Sequence, residues 1–537
     1  MDADRSEKPP DARAVQERLV RALCASLSAE LIETHISYVL LVGAEAYKIK
    51  KALDLGFLDF TTLDSRRHYC AEELRLNRRL APQLYLDLVA VAGTAQAPAF
   101  AAADAAEAIE YAVHMRRFDQ EALYDSLARR GQLGRQHIDA LAAVLAEFHR
   151  LAAPAAAASP YGSAESIAAP MRQNFAQIRS LLPAQDDSAA VLDELDTWSG
   201  RKHAALAPLF AARCRQGRIR ECHGDLHLGN VAWVDGAAVP FDGIEFNPSL
   251  RWIDVMSEIA FLMMDLQLRR SDGLAWRFLS AYLERSGDYG GLAVLDAYLV
   301  YRAMVRAKIA AICAAQAEAG TAQQAAAQAD CREHLALAQR LTQPRQPLLL
   351  LMHGYAGSGK SALAQALVEA GGMLRLRSDV ERKRLAGLAA EASSGSDLNA
   401  GLYGADMTRQ TYAELARLAR LVLTAGWPLA IDATHRCRWQ RDLLRALAAD
   451  CGVPCLIVAC RADAEVLRHR VMRRAARGGD ASEADLAVLE AQLADAGGTD
   501  AIAADEPALW VDTGGEEKGA NVARVLREAR RIASVPG

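Results

Sequence analysis

A chain of 537 residues is longer than one hydrophobic core usually supports, so about three or four compact units are expected. Its composition, 52% hydrophobic and 24% charged with only 6% aromatic, is that of a globular protein built largely from Ala- and Leu-rich helices, which excludes disorder over most of its length. A formal net charge of -5 supplies no global attraction to nucleic acid or to an anionic membrane, so any basic cluster needs a local explanation.

Residues 1–30 read as an N-terminal segment: Met1 to Pro10 is charged, ends in Pro9-Pro10 and has no apolar run of the secretory kind. No stretch is apolar enough to span a bilayer, because charges interrupt the longest candidates within about ten residues. The ten cysteines are scattered, without CxxC pairs or zinc-type spacing, and fit a reducing cytoplasm; Cys451 and Cys455 read as small core residues. From Ile36 to Lys51 the pattern predicts a β-hairpin, with Val39 to Val42, a turn at Gly43 and then Tyr47-Lys48-Ile49-Lys50 alternating apolar and basic side chains. Arg66 to Leu80 has a helical period, and strand-like stretches follow at Leu84 to Ala92 and Glu110 to Met115. The mostly helical pattern from Glu121 onward then implies a small β-rich lobe hinged to a larger α-helical one. Ala152 to Ala158 and Ala314 to Ala329 read as helix surface or loop filler under a compositional bias.

Near the middle stands His223-Gly224-Asp225-Leu226-His227-Leu228-Gly229-Asn230, followed by a hairpin that turns at Asp235-Gly236 and closes at Asp242-Gly243. That spacing brings Asp225, Asn230 and Asp242 to one end of two adjacent strands, where their oxygens can converge. Phosphoryl transfer needs such oxygens to orient an acceptor hydroxyl and to hold magnesium against the phosphates. A loop of helix caps and Asx turns is the plainer alternative. Lysine is scarce, nine against fifty-three arginines, yet Lys48, Lys50 and Lys51 fall within four residues. A point charge suits phosphate, and Lys48 and Lys50 share one strand face, although either could be solvated edge charge.

Leu341 to Pro347 breaks helical periodicity twice and marks a linker at 343–347. Beyond it, apolar strands at Leu348 to Met352, Met373 to Leu376, Leu429 to Ile431, Leu456 to Ala459 and Leu509 to Val511 alternate with helical segments, which implies a parallel sheet covered by helices on both faces. The first of these strands runs straight into Gly354-Tyr355-Ala356-Gly357-Ser358-Gly359-Lys360-Ser361 and the helix Ala362 to Val368, the context that marks a P-loop. Its backbone N–H groups cradle phosphates, Lys360 reaches the β and γ oxygens, and the Ser361 hydroxyl binds magnesium. Asp379 follows the next strand, with a helix N-cap as its alternative role. Asp432 ends a further strand, where it could equally be a strand-end cap. Arg468, Arg470, Arg473, Arg474 and Arg477 share one helical stretch leading to Gly478-Gly479; a solvated basic face, or one pairing with Glu483 and Asp485, is the alternative to a phosphate-binding role.

The string His-Gly-Asp-x-x-x-x-Asn followed by an Asp resembles the aminoglycoside phosphotransferase family, relatives of protein kinases. The resemblance spans about Ile36 to Lys308. It implies Asp225 as catalytic base, Asn230 and Asp242 as magnesium ligands, a phosphate lysine among Lys48 and Lys50 with Glu73 as its helix partner, and Asp254 as a brace for the catalytic loop. No Gly-rich nucleotide loop precedes the lysines, only Gly43. The second half resembles small P-loop kinases such as gluconate kinase, chloramphenicol phosphotransferase and the kinase domain of polynucleotide kinase. That resemblance implies Asp379 as acceptor base, Arg382 or Arg409 as substrate holder, Asp432 as the Walker B carboxylate, and Arg470 and Arg473 within a lid over the triphosphate.

The expected fold thus joins α+β and α/β classes: a protein-kinase-like bilobal domain over 31–342, then a P-loop NTPase domain over 348–537 with a parallel sheet covered by helices. The expected function is a cytoplasmic tandem kinase, using ATP and magnesium at each site to phosphorylate hydroxyl groups of small molecules. No membrane partner is expected, nucleic acid is disfavoured, and the sequence does not specify an oligomeric state. Rival readings are that one domain senses ATP for the other without catalysis, or that the P-loop domain is a nucleic-acid end kinase. Intact base, lysine and metal positions in both halves argue against the first rival. The acidic net charge and the lack of aromatics among the arginines argue against the second.

Overall fold

The structure is a computed structural model that describes residues 12–56, 58–156, 159–182, 188–390, 392, 401–477, 481–494 and 501–534. Gly478-Gly479, the expected end of the arginine helix, lies outside the described residues. The chain divides into two compact units, one drawing on residues 12–144, 148–166 and 211–262 and the other on 145–147, 167–210 and 263–534. Among the described residues no helix is long and apolar enough to cross a membrane, and none of the ten cysteines forms a disulfide.

The first unit is built on six antiparallel strands: β1 (Glu30–Glu33), β2 (Ser37–Val42), β3 (Glu45–Lys50), β4 (Tyr85–Thr94), β5 (Ala97–Ala102) and β6 (Ala108–Arg116), in the order β1-β2-β3-β6-β4-β5. Both faces of this sheet are covered. Tyr38, Leu40, Ile49 and Ala112 meet Leu19, Val20 and Leu23 of the helix Ala12–Leu27, while Leu41, Ala46 and Val113 pack with Cys70 of the helix Leu63–Asn77. The period of two therefore puts Lys48 and Lys50 on the same side as Ala46, toward the Leu63–Asn77 helix. That helix starts three residues earlier than its periodicity suggested, because Thr62 caps it: Ser65 N–H donates to Thr62 Oγ1 at 3.1 Å.

Below this sheet, β7 (Ile219–Glu221) leads into the His-Gly-Asp loop. The hairpin of β8 (Val231–Val234) and β9 (Ala237–Pro240) follows the loop, and β10 (Trp252–Asp254) pairs back onto β7. The hairpin turns through Asp235 and Gly236 at φ 51° and 78°, the left-handed pair that a tight two-residue turn requires.

The second unit carries the parallel sheet, formed by β11 (Leu349–His353), β12 (Leu374–Arg377), β13 (Leu429–Asp432), β14 (Cys455–Arg461) and β15 (Ala508–Asp512) in the order β12-β13-β11-β14-β15. Asp432 is in register with both Met352 and Arg377, so the carboxyl ends of three strands align at one edge, where ligands of such sheets bind. The Ala-rich stretch 314–329 supplies the end of the helix Leu292–Gln316 and the start of the helix Ala322–Leu341.

The 343–347 segment is held at its centre. Arg345 donates to Asp296 at 2.9 Å and lies 3.6 Å from the ring centre of the fully buried Trp427, which meets Trp276 edge-on at 5.7 Å. The helix Asp272–Ser286, which carries Trp276, packs on β12 and on the helix Lys360–Gly371, and Arg277 pairs with Glu369 at 2.6 Å. Arg345→Ala removes a shielded ion pair and a cation–π contact together, and is expected to lower unfolding stability by about 1–2 kcal/mol, read from the denaturant midpoint of the full chain.

Candidate functional sites

In the first unit the predicted residues come together around two buried ammonium groups. Lys48 Nζ donates to Glu73 at 2.8 Å and to Asp242 at 2.5 Å, while Lys50 Nζ donates to Glu73 at 2.7 Å and to Glu245. Burial acts to lower the Lys48 pKa, but the carboxylates of Asp242 and Glu73 outweigh it and hold the ammonium well above its usual value. Burial acts to raise Glu73, but the two lysines overcome it and hold the carboxyl at about 2. At Glu245 burial prevails, reinforced by the Glu73 charge, and raises the carboxyl against the pull of Lys50 and Lys48. The Lys48 side chain keeps 12% exposure and the Asp242 side chain 43%, whereas Lys50 has none. The two lysines that the sequence leaves equivalent are therefore distinct: one borders the solvent-facing Asp242, the other is sealed between two glutamates.

Of the three catalytic-loop candidates, Asp225 and Asn230 bond each other, while Asp242 pairs with Lys48. Asn230 Nδ2 donates to the Asp225 carbonyl at 3.0 Å and to its Oδ2 at 3.2 Å, which turns the carboxamide toward the Asp225 carboxylate. The Asp225 side chain is 38% exposed, with His227 Nε2 3.6 Å from its Oδ2. Asp242 sits in the left-handed region at φ 62°, a conformation held by its N–H donating to the Tyr85 hydroxyl at 3.1 Å. Asp254 is buried and takes two bonds from Arg213 at 2.6 and 2.7 Å, anchoring the strand that pairs with β7 behind the loop.

Sequence reasoning missed Glu245 and a second brace at the loop. Glu258 accepts the Gly224 N–H at 2.7 Å through one oxygen and bonds His149 Nε2 at 3.0 Å through the other. Burial acts to raise Glu258, but His149 and the Gly224 N–H hold it below its usual value. Cys222 completes a His149, Cys222 and Glu258 cluster within 4.8 Å, in which both carboxylate oxygens already take hydrogen bonds. No local signal marks Glu258, which lies 109 residues from His149.

In the second unit a cavity of about 1090 Å³ opens at the carboxyl edge of the sheet, lined by Gly357, Ser358, Lys360, Ser361, Asp379 and Asp432 among others. Gly354, Gly357 and Gly359 have φ of 140°, 76° and 81°, and a Cβ at Gly354 would sit 2.4 Å from the Cys460 carbonyl oxygen. Lys360 Nζ donates to the Gly354 and Tyr355 carbonyls at 2.8 and 2.7 Å. Burial lowers its pKa, against the opposing pull of Asp432. Asp432 Oδ2 is buried without a hydrogen-bond partner, so the strand-end-cap alternative does not use it. Asp379 lies inside the first turn of the helix Ser378–Leu385, whose N-cap is Arg377, and burial raises its carboxyl.

Arg382 lines the cavity while Arg409 is exposed and sits over the Trp439 ring at 5.7 Å, so the structure separates the two substrate-holder candidates. The arginine helix Ala464–Arg477 divides likewise. Arg470, Arg473 and Arg474 line the cavity, but Arg468 turns away to pair with Glu490 at 2.6 Å. Arg470 is fastened by bonds to the Thr513 carbonyl at 2.7 Å and the Gly357 carbonyl at 3.3 Å. Thr513 Oγ1 in turn donates to the Ser358 carbonyl at 2.8 Å, and Gln492 accepts the Ala356 N–H at 2.8 Å. Neither residue was legible in sequence, since each reaches the P-loop from more than a hundred residues away.

An antiparallel lobe with its lysine–glutamate pair and His-Gly-Asp loop, followed by a parallel sheet with a P-loop, defines the class: a kinase-like fold joined to a P-loop NTPase fold. Residues 349–498 match the family described as AAA domain. Over 467 residues the chain is 32% identical to the uncharacterized proteins Rv2004c of Mycobacterium tuberculosis and Mb2027c of Mycobacterium bovis, covering 86% of this chain and 90% of each relative. The chain belongs to the family that these proteins represent. Among solved structures it is similar to amicoumacin kinase hAmiN (15% identity, 61% of this chain and 96% of that one, TM-score 0.37). A gluconokinase from Sinorhizobium meliloti 1021 is similar over 35% of this chain and 95% of that one (22% identity, TM-score 0.24).

Beside the P-loop, His435 is fully buried at φ 47°, with Nδ1 donating to the Met352 carbonyl at 2.8 Å. Burial, the largest cause, depresses its pKa to about 4, and His353 is depressed to about 4 by burial and then by Arg441. Because these rings stay neutral in the fold while the unfolded chain protonates near pH 6.5, the unfolded state binds more protons between pH 6.5 and 4. Stability is expected to be full above pH 6.5 and to fall toward pH 4, by up to about 3 kcal/mol for His435. Chemical denaturation across that range is expected to show a shallower slope in His435→Asn.

Proposed function

We propose that the chain is a tandem ATP-dependent phosphotransferase whose two sites each transfer the γ-phosphoryl group to a hydroxyl of a small molecule. The observation that carries this reading is Lys48 held between Glu73 and Asp242, with Asp225 and Asn230 joined in the same unit: a lysine, a helix glutamate, a candidate base and two metal-type ligands. In this reading Lys48 is the phosphate lysine, because it borders the exposed Asp242. Lys50 then supports Glu73.

The residue types suit magnesium at both sites, and at the second the buried, unpartnered Oδ2 of Asp432 leaves an oxygen open for it. Asn230 and Asp242 would hold it in the first, and Ser361 with the unpartnered Oδ2 of Asp432 in the second. When bound, the ion neutralises charge on the phosphate oxygens. Asp225 and Asp379 orient and deprotonate the acceptor hydroxyl, and the half-buried, raised carboxyl of Asp379 suits a base. Arg470 and Arg473 line the second cavity, where they would border the phosphates. A small acceptor is favoured because the second cavity, at about 1090 Å³, is large enough for a nucleotide with a modest second molecule.

Incubating the full chain with labelled ATP and pools of sugars, amino alcohols and oligonucleotides tests the reading. Transfer to a small hydroxyl compound is expected, and label on oligonucleotides alone would favour an end kinase. Asp225→Asn is expected to lower first-site kcat by about 100-fold or more with ATP affinity nearly unchanged, since a base acts on the acceptor rather than on the nucleotide. Lys360→Ala is expected to abolish second-site turnover and leave the first-site rate equal at saturating ATP; a several-fold change in the first-site rate would instead support a nucleotide sensor.

A further inference from the structure

The edge strand of the parallel sheet is gripped by a helix that carries none of the P-loop motifs. On β12, Leu374 and Leu376 are fully buried, so the period of two turns Arg375 and Arg377 to the other face. One carboxylate, Glu284 near the end of the helix Asp272–Ser286, takes both arginines, Arg375 and Arg377 each donating at 3.2 Å. All three side chains are shielded, at 16%, 13% and 18% exposure for Glu284, Arg375 and Arg377. The grip continues past the strand. The Glu284 carbonyl accepts from Arg384, and Arg384 also pairs with Glu381, whose carboxylate lies 3.5 Å from the Tyr289 hydroxyl. Gly287 ends the helix in the left-handed region at φ 69°, and a Cβ there would lie 3.5 Å from the Arg384 guanidinium.

These contacts bracket the residues that matter to the cavity. Arg377, Asp379 and Arg382 all line it, and Arg377 acts electrostatically on Asp379. Arg377 and Arg384 lie two residues before Asp379 and two after Arg382, and both are held from the same helix end. We infer that Glu284 is a positioning residue for the acceptor side of the P-loop site: by holding Arg377 and the Ser378–Leu385 helix, it sets where Asp379 meets the acceptor. This inference rests on the P-loop reading given above.

The test uses the full chain carrying Asp225→Asn, so that Lys360-dependent turnover reports the second site, with magnesium-ATP as the probe and water as the acceptor. Glu284→Gln, which keeps the side-chain size, and Glu284→Ala are compared with Arg377→Ala and with the Glu284→Ala/Arg377→Ala double variant. Expected are ATP dissociation constants within about twofold of the parent and a kcat lowered by about tenfold in Glu284→Ala and less in Glu284→Gln. The double variant is expected to be no slower than Arg377→Ala alone, because the two act as one unit. Additive losses, or a kcat that ignores Glu284, overturn the inference while leaving the P-loop reading intact. Turnover that survives Lys360→Ala, or no turnover in the parent, overturns that reading and the inference with it.

Discussion

Each half of this chain is organised around the cost of burying an ammonium group. Removing a lysine charge from water costs several kcal/mol unless hydrogen bonds and opposite charge replace the solvent. The first unit meets that cost with carboxylates: Glu73 shared by Lys48 and Lys50, Asp242 on one and Glu245 on the other. The second meets it with carbonyl oxygens of the loop that contains Lys360 itself. The consequence is opposite electrostatics, Lys48 raised well above its usual value and Lys360 lowered. Two electrostatic states of a buried cation thus follow from two ways of solvating it.

The backbone around these groups is correspondingly constrained. A Cβ at Gly224 would lie 2.8 Å from the Leu250 carbonyl oxygen, and one at Gly357 would lie 2.8 Å from that of Leu467. Both loops therefore depend on glycine for close approach as much as for φ, and both have braces. Glu258 holds the Gly224 N–H, while Thr513 and Gln492 bond the P-loop backbone. Such supports fix the backbone of both loops through hydrogen bonds from distant segments.

Within the second unit, the helix Asp272–Ser286 and Arg345 tie the sheet to the helices that precede it in sequence. An exposed parallel edge strand would be a hazard, and β12 is covered by that helix and by the charges of Arg375 and Arg377. The same cover bears on the segment that carries Asp379, so protection of the edge and geometry of the cavity are linked.

The sequence by itself determined what local pattern can encode. The P-loop, the His-Gly-Asp loop, the Asp235-Gly236 turn and the five parallel strands were legible because each is set by neighbours within a few residues, through glycine at positive φ, apolar runs and strand-to-helix order. The meeting of Asp225 with Asn230 also followed from loop spacing, while strand parity put Lys48 and Lys50 on one face without choosing between them, and Glu73 was marked as their partner only by the family resemblance. Tertiary structure alone decided which lysine faces Asp242, which arginines of the Ala464–Arg477 helix reach the cavity, and whether Arg382 or Arg409 lines it. It also supplied the helix Ala12–Leu27 as cover for one sheet face, and Glu245, Glu258, Thr513 and Glu284 as partners. Each of those contacts joins segments tens to hundreds of residues apart, and no local preference carries information about a partner that only packing brings near.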